Sequence, residues 1–311
     1  MPDIVIPEFM DPPAVETLRA DYDVLHDAGL VDRPDELKVA VAGARALIVR
    51  NRTQVRGSLL DAAQRLDVVG RLGVGLDNID LEACAARGIE VRPATGANSV
   101  SVAEYVIAGV LMLLRGAGYT SSARVLAGEW PRTELVGHEV SGRTLGLVGF
   151  GAIAREVAAR ARALGMQLVA LDPFVAADDP VWARLGARSA KLPELLAESD
   201  AVSLHVPLTD GTRHLIDRAA IAAMKPGAVL INSARGGIVD EAALAAALGE
   251  GRLGGALLDV FEAEPLAAGS PLTGVPNLIV TPHIAGVTEE SNAQVSAVTA
   301  ENVLRVLRRT A

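Results

Sequence analysis

Gly149-Phe150-Gly151-Ala152-Ile153-Ala154 follows the apolar run Leu145 to Val148 and opens a helical stretch, Arg155 to Leu164. Glycine at the first place permits a tight turn, glycine at the second lets backbone approach an anion, and a small residue at the last lets helix and strand pack closely. N–H groups at the start of the helix then face any phosphate placed there, with the helix dipole in its favour. Asp172 ends the next apolar run, Leu168 to Leu171, 23 positions after Gly149. That is near the roughly 20 expected for an acid accepting from the ribose hydroxyls of a dinucleotide. Its charge would repel a 2′-phosphate, and Pro173-Phe174 brings no arginine to compensate, which points to NAD rather than NADP. A ligand-free glycine turn and a solvated strand-end acid are the plainer readings of the same residues.

Three later segments carry the groups that hydride transfer to a keto acid requires. They are Asn232-Ser233-Ala234-Arg235-Gly236-Gly237, Asp259-Val260-Phe261-Glu262-Ala263-Glu264-Pro265 and Thr281-Pro282-His283-Ile284-Ala285-Gly286. Each lies at the C-terminal end of a predicted strand, where open α/β sheets place their ligands. Singly, Arg235 could cap a helix, Glu264 could be a loop acid before Pro265, and His283 a satisfied histidine after Pro282; jointly these plain accounts are harder to sustain.

The elements that must hold these groups alternate along the chain. Strands are predicted at Ile4 to Ile6, Val24 to Leu25, Ala46 to Val49, Val68 to Gly70 and Ile89 to Val91, with helices between them, the rhythm of parallel βα units. From Val100 to Gly128 the pattern becomes one long, largely apolar helix after a serine-rich start, and a domain junction belongs there. A second series runs through Thr144 to Val148, Leu168 to Leu171, Ala201 to Leu204, Val229 to Ile231, Ala256 to Asp259 and Leu278 to Val280. Six strands are thus expected, as in a dinucleotide fold. Glu289 to Arg309 reads as a final helix returning to the first domain.

Composition agrees. At 311 residues the chain is long for one core, and 50% hydrophobic with 3% aromatic residues suits close helix-on-sheet packing, hence an α/β class. Net charge is −9 without a cluster of Lys or Arg, so no nucleic-acid footprint is visible. The single cysteine, Cys84, has no partner for a disulfide and reads as a core thiol. The longest apolar run, Tyr105 to Leu114, is far short of the ~20 residues a bilayer span needs. The opening Met1 to Asp11 lacks the basic-then-apolar order of a signal peptide. A cytoplasmic protein without membrane or nucleic-acid partners is expected, and no metal.

With these motifs in this order, the chain strongly resembles the D-2-hydroxyacid dehydrogenases, the phosphoglycerate dehydrogenase branch in particular. The likeness runs from Gly73-Val74-Gly75-Leu76-Asp77-Asn78 through the terminal helix. It implies two Rossmann-like or flavodoxin-like parallel-sheet domains, a substrate domain of residues 1–98 and 285–311 with an NAD domain, 99–284, inserted and the substrate in the cleft between them. It makes Arg235 the carboxylate and carbonyl clamp, His283 the general acid/base and Glu264 its carboxylate partner. These roles suit a guanidinium fork on a planar carboxylate and an imidazolium steadied by an acid. It implies cofactor contacts at Gly149, Gly151, Ala152, Ile153, Asp172, His205, Val206, Pro207, Thr212, Ala234, Asp259 and His283. His205 reads rather as scaffold than as acid, and Asp259 equally as a structural strand-end residue. Val74 and Gly75, with Arg50, Arg52 and Arg235, are the implied substrate contacts. The helix after Val100 resembles the family's dimerisation arm, which implies a homodimer.

Where phosphoglycerate-type members usually read Arg-Ser-Ala-Thr-Lys-Val, this chain reads Arg50-Asn51-Arg52-Thr53-Gln54-Val55. Two basic side chains on one loop suggest a small 2-hydroxy or 2-keto acid with a second anion at C3, with a surface arginine as the plain alternative. Together with Pro7-Glu8-Phe9-Met10-Asp11, this loop is similar to that of (S)-sulfolactate dehydrogenase-like members. Sulfur outranks the carboxyl carbon in naming priority, so an (S)-sulfolactate has the spatial arrangement of a D-hydroxy acid. The alternatives are a glyoxylate or hydroxypyruvate reductase, and a non-catalytic NAD-sensing protein of the same fold, which turnover of any keto acid would exclude. A methyltransferase also has a glycine-rich loop, but methyl transfer does not call for Arg, Glu and His.

Overall fold

The computed structural model describes residues 1–116 and 121–310. The chain divides into two compact units, Met1–Asn98 with Val287–Ala311, and Ser99–Gly286.

In the first unit the elements are β1 (Ile4–Ile6), α1 (Pro12–Arg19), β2 (Val24–His26), α2 (Pro34–Val41), β3 (Ala46–Val49), α3 (Gly57–Ala62), β4 (Val68–Arg71), α4 (Leu81–Ala86) and β5 (Glu90–Pro93). The strands form one parallel sheet in the order β2-β1-β3-β4-β5. All residues of β1 and β3 are buried, because helices cover both faces of a parallel sheet and leave no polar side. The C-terminal helix, Glu289–Leu307, is capped by the Thr288 hydroxyl. It lays Val295, Ala300, Val303, Leu304 and Leu307 into the same core as β1, β3 and β4.

The second unit contains α5 (Ser99–Leu114), α6 (Ser122–Leu126), β6 (Thr144–Val148), α7 (Ala152–Ala163), β7 (Gln167–Leu171), α8 (Pro180–Leu185), β8 (Ala187–Ser189), α9 (Leu192–Glu198), β9 (Ala201–Leu204), α10 (Arg218–Ala223), β10 (Val229–Asn232), α11 (Glu241–Gly249), β11 (Gly255–Leu258) and β12 (Leu278–Val280). Its sheet is parallel throughout, in the order β12-β11-β10-β9-β6-β7-β8. The chain winds outward one way through β7 and β8 and the other way through β9 to β12. The reversal therefore falls between β6 and β9, the place where such sheets bind ligands.

The α/β class expected from sequence is the observed one, with two differences in detail. The second sheet has seven strands rather than six, because Ala187–Ser189 pairs with β7 as an edge strand; two of its three residues are exposed, so no apolar pattern announces it. The single helix expected from Val100 to Gly128 is not formed. α5 stops at Leu114, Gly116 adopts a positive φ of 62°, part of the expected helix (117–120) lies outside the described residues, and α6 is a separate short helix. The apolar length of α5 is used within its own unit, where Val102, Ala103, Val106, Val110, Leu113 and Leu114 join the core beside β6, β10 and β11. Burying a Val or Leu side chain of this kind is worth about 1.5–3 kcal/mol relative to exposure.

Candidate active site

In-register pairing of β10, β11 and β12 sets the geometry of one half of the site. Asn232 stands opposite Leu258, and Leu258 opposite Val280, so the segments that follow leave the sheet side by side. The ladder continues past the strands: Asp259 N–H donates to Asn232 O at 2.9 Å, Thr281 N–H to Leu258 O at 3.0 Å and His283 N–H to Asp259 O at 2.8 Å. Gly236, next to Arg235, is pressed against the neighbouring segment. A Cβ there would stand 1.7 Å from Phe261 O and 2.1 Å from Phe261 C. Only glycine lets the two turns lie this close.

Within that frame His283 Nδ1 and Glu264 Oε2 are 2.8 Å apart. Glu264 is fixed in turn because its other oxygen accepts the Phe261 N–H at 3.1 Å. The carboxylate therefore selects the tautomer with the proton on Nδ1, or stabilises the imidazolium. Nε2 has no partner among the described residues, and the side chain is 41% exposed, so a ligand can reach it. His283 has a φ of 57°, a left-handed conformation costing roughly 1–2 kcal/mol for a residue with a Cβ. The surroundings impose it. Asp259, 1% exposed, accepts the Thr281 hydroxyl at 2.6 Å and the Ile284 N–H at 2.8 Å on Oδ1, and the Ala285 N–H at 2.8 Å on Oδ2. Three of its four lone pairs thus hold the loop that carries His283. One remains on Oδ2 for a donor such as a carboxamide.

Tyr105, on α5, extends this scaffold. Its hydroxyl bonds the Thr281 Oγ1, which in turn donates to Asp259. Burial pushes the Tyr105 pKa up to about 12, so it stays a neutral donor. Sequence reading missed it because a tyrosine inside an apolar run looks like core. Arg235 is half-buried and directs Nη1 at Ala234 O, 2.6 Å away. The turn that presents it is closed by Asn232, which donates to Arg235 O and accepts from the Ala234 N–H.

The other half of the site lies at the ends of β6, β7 and β9. Gly149 has a φ of 94°, and a Cβ there would meet His205 O at 2.6 Å. The Gly149 N–H donates to Leu171 O and the His205 N–H to Val148 O, each at 2.7 Å. Gly151 is the N-cap of the 12-residue α7 and gives it no side-chain cap, and apart from its chain neighbours and its own helix backbone nothing among the described residues lies within 4 Å of where its Cβ would be. Open space before uncapped helical N–H groups fits a pyrophosphate. Asp172 is held by the Phe150 N–H at 2.8 Å on Oδ2 and the Phe174 N–H at 2.9 Å on Oδ1, leaving a lone pair on each oxygen for a ribose diol. Phe150 is buried and stacked on Trp182, with ring centroids 4.6 Å apart; the Trp182 indole N–H donates to Ala176 O. This stack anchors the glycine loop and the segment after Asp172 together. Ala152 and Ile153 form the first turn of α7, and Val206 packs beside Gly149. The Thr212 hydroxyl is engaged within its own turn, donating to Pro207 O at 2.6 Å. Burial lowers the His205 pKa to about 4, so it is neutral near pH 7 and no proton donor. These residues fit a dinucleotide.

In the first unit, the Val74 and Gly75 N–H groups have no acceptor among the described residues. Two adjacent free N–H groups can receive a carboxylate. Arg50 and Arg52 differ. Arg50 is half-buried, lies over the Phe9 ring at 5.8 Å and donates to Asn292 Oδ1 at 2.7 Å. It has no carboxylate ion partner among the described residues, and burial lowers its pKa. Arg52 is exposed and bonded through both terminal nitrogens to Asp32. Among the described residues no group of three or more His, Cys, Asp or Glu could hold a metal ion, and no helix is long and apolar enough to cross a membrane.

Comparison with known proteins shows the family. The family model of the NAD-binding domain of D-isomer specific 2-hydroxyacid dehydrogenases matches residues 107–285. The chain is 61% identical over 307 residues to an (S)-sulfolactate dehydrogenase of Chromohalobacter salexigens, covering 99% of both. It is 41% identical over 275 residues to a D-3-phosphoglycerate dehydrogenase of Methanocaldococcus jannaschii, covering 88% of this chain and 52% of that one. Among solved structures, the TT0316 protein from Thermus thermophilus superimposes with a TM-score of 0.88 at 36% identity, over 98% of this chain and 97% of that one. The chain belongs to the D-isomer-specific 2-hydroxyacid dehydrogenases and is an NAD-dependent enzyme of that family.

Proposed function

We propose that the substrate pair is (S)-3-sulfolactate and 3-sulfopyruvate. What carries this reading is the 61% identity along 99% of both chains to a protein named for that acid. The cations at Arg50 and Arg52 are what a C3 sulfonate needs. When bound, NAD supplies or accepts the hydride at C2. Arg235 grips the carboxylate and polarises the C2 oxygen through its fixed fork of donors. His283 Nε2 takes the proton from that oxygen during oxidation and returns it during reduction, while Glu264 at Nδ1 steadies the imidazolium between the two events. The Val74 and Gly75 N–H groups take the substrate carboxylate, and Arg50 reads the C3 anion. Arg52 assists by exchanging its exposed Asp32 partner, since an ion pair open to solvent is held only weakly.

The test is a panel of 2-keto acids, comprising sulfopyruvate, phosphohydroxypyruvate, hydroxypyruvate, glyoxylate and pyruvate, followed by NADH absorbance. Sulfopyruvate should give the highest kcat/KM. In Arg50→Ala and Arg52→Ala the ratio of its efficiency to that of glyoxylate should fall about tenfold to a hundredfold, the scale of a lost charge-assisted contact. A preference for hydroxypyruvate or glyoxylate would instead favour a reductase acting on those acids.

We further infer a cytoplasmic homodimer. Leu126, Trp130 and Val136 are 88%, 75% and 80% exposed, and α6 buries none of its residues. Apolar side chains left so open in one segment are suited to a partner chain. A monomer by light scattering at micromolar concentration would rule this out.

A further inference from the structure

Glu8 is 4% exposed and stands two residues past the end of the buried strand β1, after Pro7. A buried carboxylate must have its charge satisfied, and here no cation does so directly. Its partners are the backbone of one loop: Oε1 accepts the N–H groups of Arg50 at 2.8 Å and Thr53 at 3.1 Å, and Oε2 that of Arg52 at 3.1 Å. Two carbonyls of the same loop are taken by Asn78, whose Nδ2 donates to Thr53 O at 2.7 Å and Arg50 O at 3.2 Å. Glu8 and Asn78 are thus a mould around which residues 50–53 are cast. With the Arg50, Arg52 and Thr53 N–H groups turned onto Glu8, the loop's chief means of reading an anion are its side chains. The next residue after Glu8 supplies the Phe9 ring beneath Arg50.

The mould carries charge. Two guanidiniums, Arg50 and Arg52, are accompanied by two carboxylates, Glu8 and Asp32, so the loop is electrically balanced before a ligand arrives. A sulfonate brings one negative charge, whereas a phosphate monoester brings nearly two near pH 7. The second charge meets the field of Glu8 without a cation left to offset it.

We infer that Glu8 is a specificity-determining residue. It positions the Arg50–Thr53 loop, and its charge turns the enzyme toward a C3 monoanion and away from a C3 dianion. The inference rests on the proposed C3-anion reading. At about 10 Å and an effective dielectric of 20 to 40, the repulsion of one extra charge corresponds to roughly fourfold to twentyfold in affinity.

Two measurements on the full-length enzyme test it. Amide hydrogen exchange at Arg50, Arg52 and Thr53 should be protected in the wild type and accelerate at least about tenfold in Glu8→Gln, which keeps the shape but replaces one acceptor by a donor. In the same variant the ratio of kcat/KM for sulfopyruvate to that for phosphohydroxypyruvate should fall roughly fourfold to twentyfold. Glu8→Asp keeps the charge and shortens the reach, so exchange should accelerate while the ratio stays within about twofold of wild type. Unchanged exchange in both variants overturns the positioning role. A ratio unchanged in Glu8→Gln, or lowered equally in Glu8→Asp, overturns the charge role. A wild type that prefers glyoxylate or hydroxypyruvate refutes the substrate reading instead, and the change in ratio and exchange on substitution still decides the part of Glu8.

Discussion

Gly236→Ala adds one methyl group at the point where the Arg235 turn meets the segment bearing Glu264. The new carbon would lie 1.7 Å from Phe261 O, and contacts below about 3.0 Å do not occur between real Cβ atoms and their neighbours. One of the two turns must therefore retreat by roughly 1.3 Å. Neither can do so freely. Arg235 O is tied to Asn232, the Phe261 N–H to Glu264 and the Glu262 N–H to Glu241 at 2.7 Å. If the Phe261 side yields, a displacement of this size stretches the 2.8 Å contact between Glu264 and His283 beyond hydrogen-bonding distance; if the Arg235 side yields, the guanidinium leaves its position. Misplacement near 1 Å can cost about 10²-fold in turnover, and overpacking costs about 1–3 kcal/mol of stability. The expected result is kcat/KM lowered about a hundredfold, a Tm lowered by several degrees, and an NADH Kd within a few-fold of wild type, since the glycine loop at Gly149 is untouched. Stopped assays, thermal melts and NADH fluorescence titration measure the three. Wild-type kcat/KM in a folded Gly236→Ala enzyme would show that the two turns need not touch and refute the geometric basis of the site.

Three further outcomes are expected. His283→Ala should retain NADH binding and lose about 10² to 10⁴ in turnover; turnover near wild type would remove His283 from proton transfer. Asp172 should make NADH the better cofactor by on the order of a hundredfold over NADPH, a preference that Asp172→Ser should narrow, and equal efficiency in the wild type would contradict its role. His205 has its pKa lowered from 6.5 to about 4, so below pH 6.5 the unfolded chain takes up a proton that the folded one refuses. Folding stability should fall as pH drops from 6.5 toward 4, by about 3 kcal/mol from this group, and His205→Gln should flatten that part of the urea-midpoint profile.

Much of this protein was legible from local pattern. β1, β3, β6 and β9 begin and end where their apolar runs do, because both faces of a parallel sheet demand buried side chains. The glycine turn at Gly149 was legible for a similar reason, since a conformation few residues tolerate leaves its mark on the sequence. β8 was not, because its residues are strand only by virtue of pairing with β7. The end of α5 at Leu114 was also hidden, since Gly116 within an apolar stretch reads as tolerated as easily as terminal. In the candidate site, residue types pointed to Arg235, Glu264 and His283, but not to the Tyr105–Thr281–Asp259 support, whose members meet only through tertiary contact. Glu8 was visible as part of a short motif, and an acid two residues after a buried strand was the available sign that its carboxylate faces inward. Arg52 and Arg50 looked alike in sequence; only the fold gives Asp32 to one and Phe9 to the other.

The chain has two tryptophans, and the stack on Phe150 gives them opposite optical characters. Trp182 is 6% exposed and its ring lies against the residue between the two glycines of the dinucleotide loop. Its emission belongs at the blue end, shielded from acrylamide and responsive to cofactor by energy transfer to reduced nicotinamide. Trp130 is 75% exposed in the single chain, so while no partner covers it, its emission lies toward the red and is readily quenched. The intrinsic spectrum of the unlabelled enzyme is therefore already divided into two channels, one reporting on the glycine loop proposed to receive the cofactor and the other on the apolar segment around α6. Occupancy and the proposed self-association can be followed separately in one cuvette.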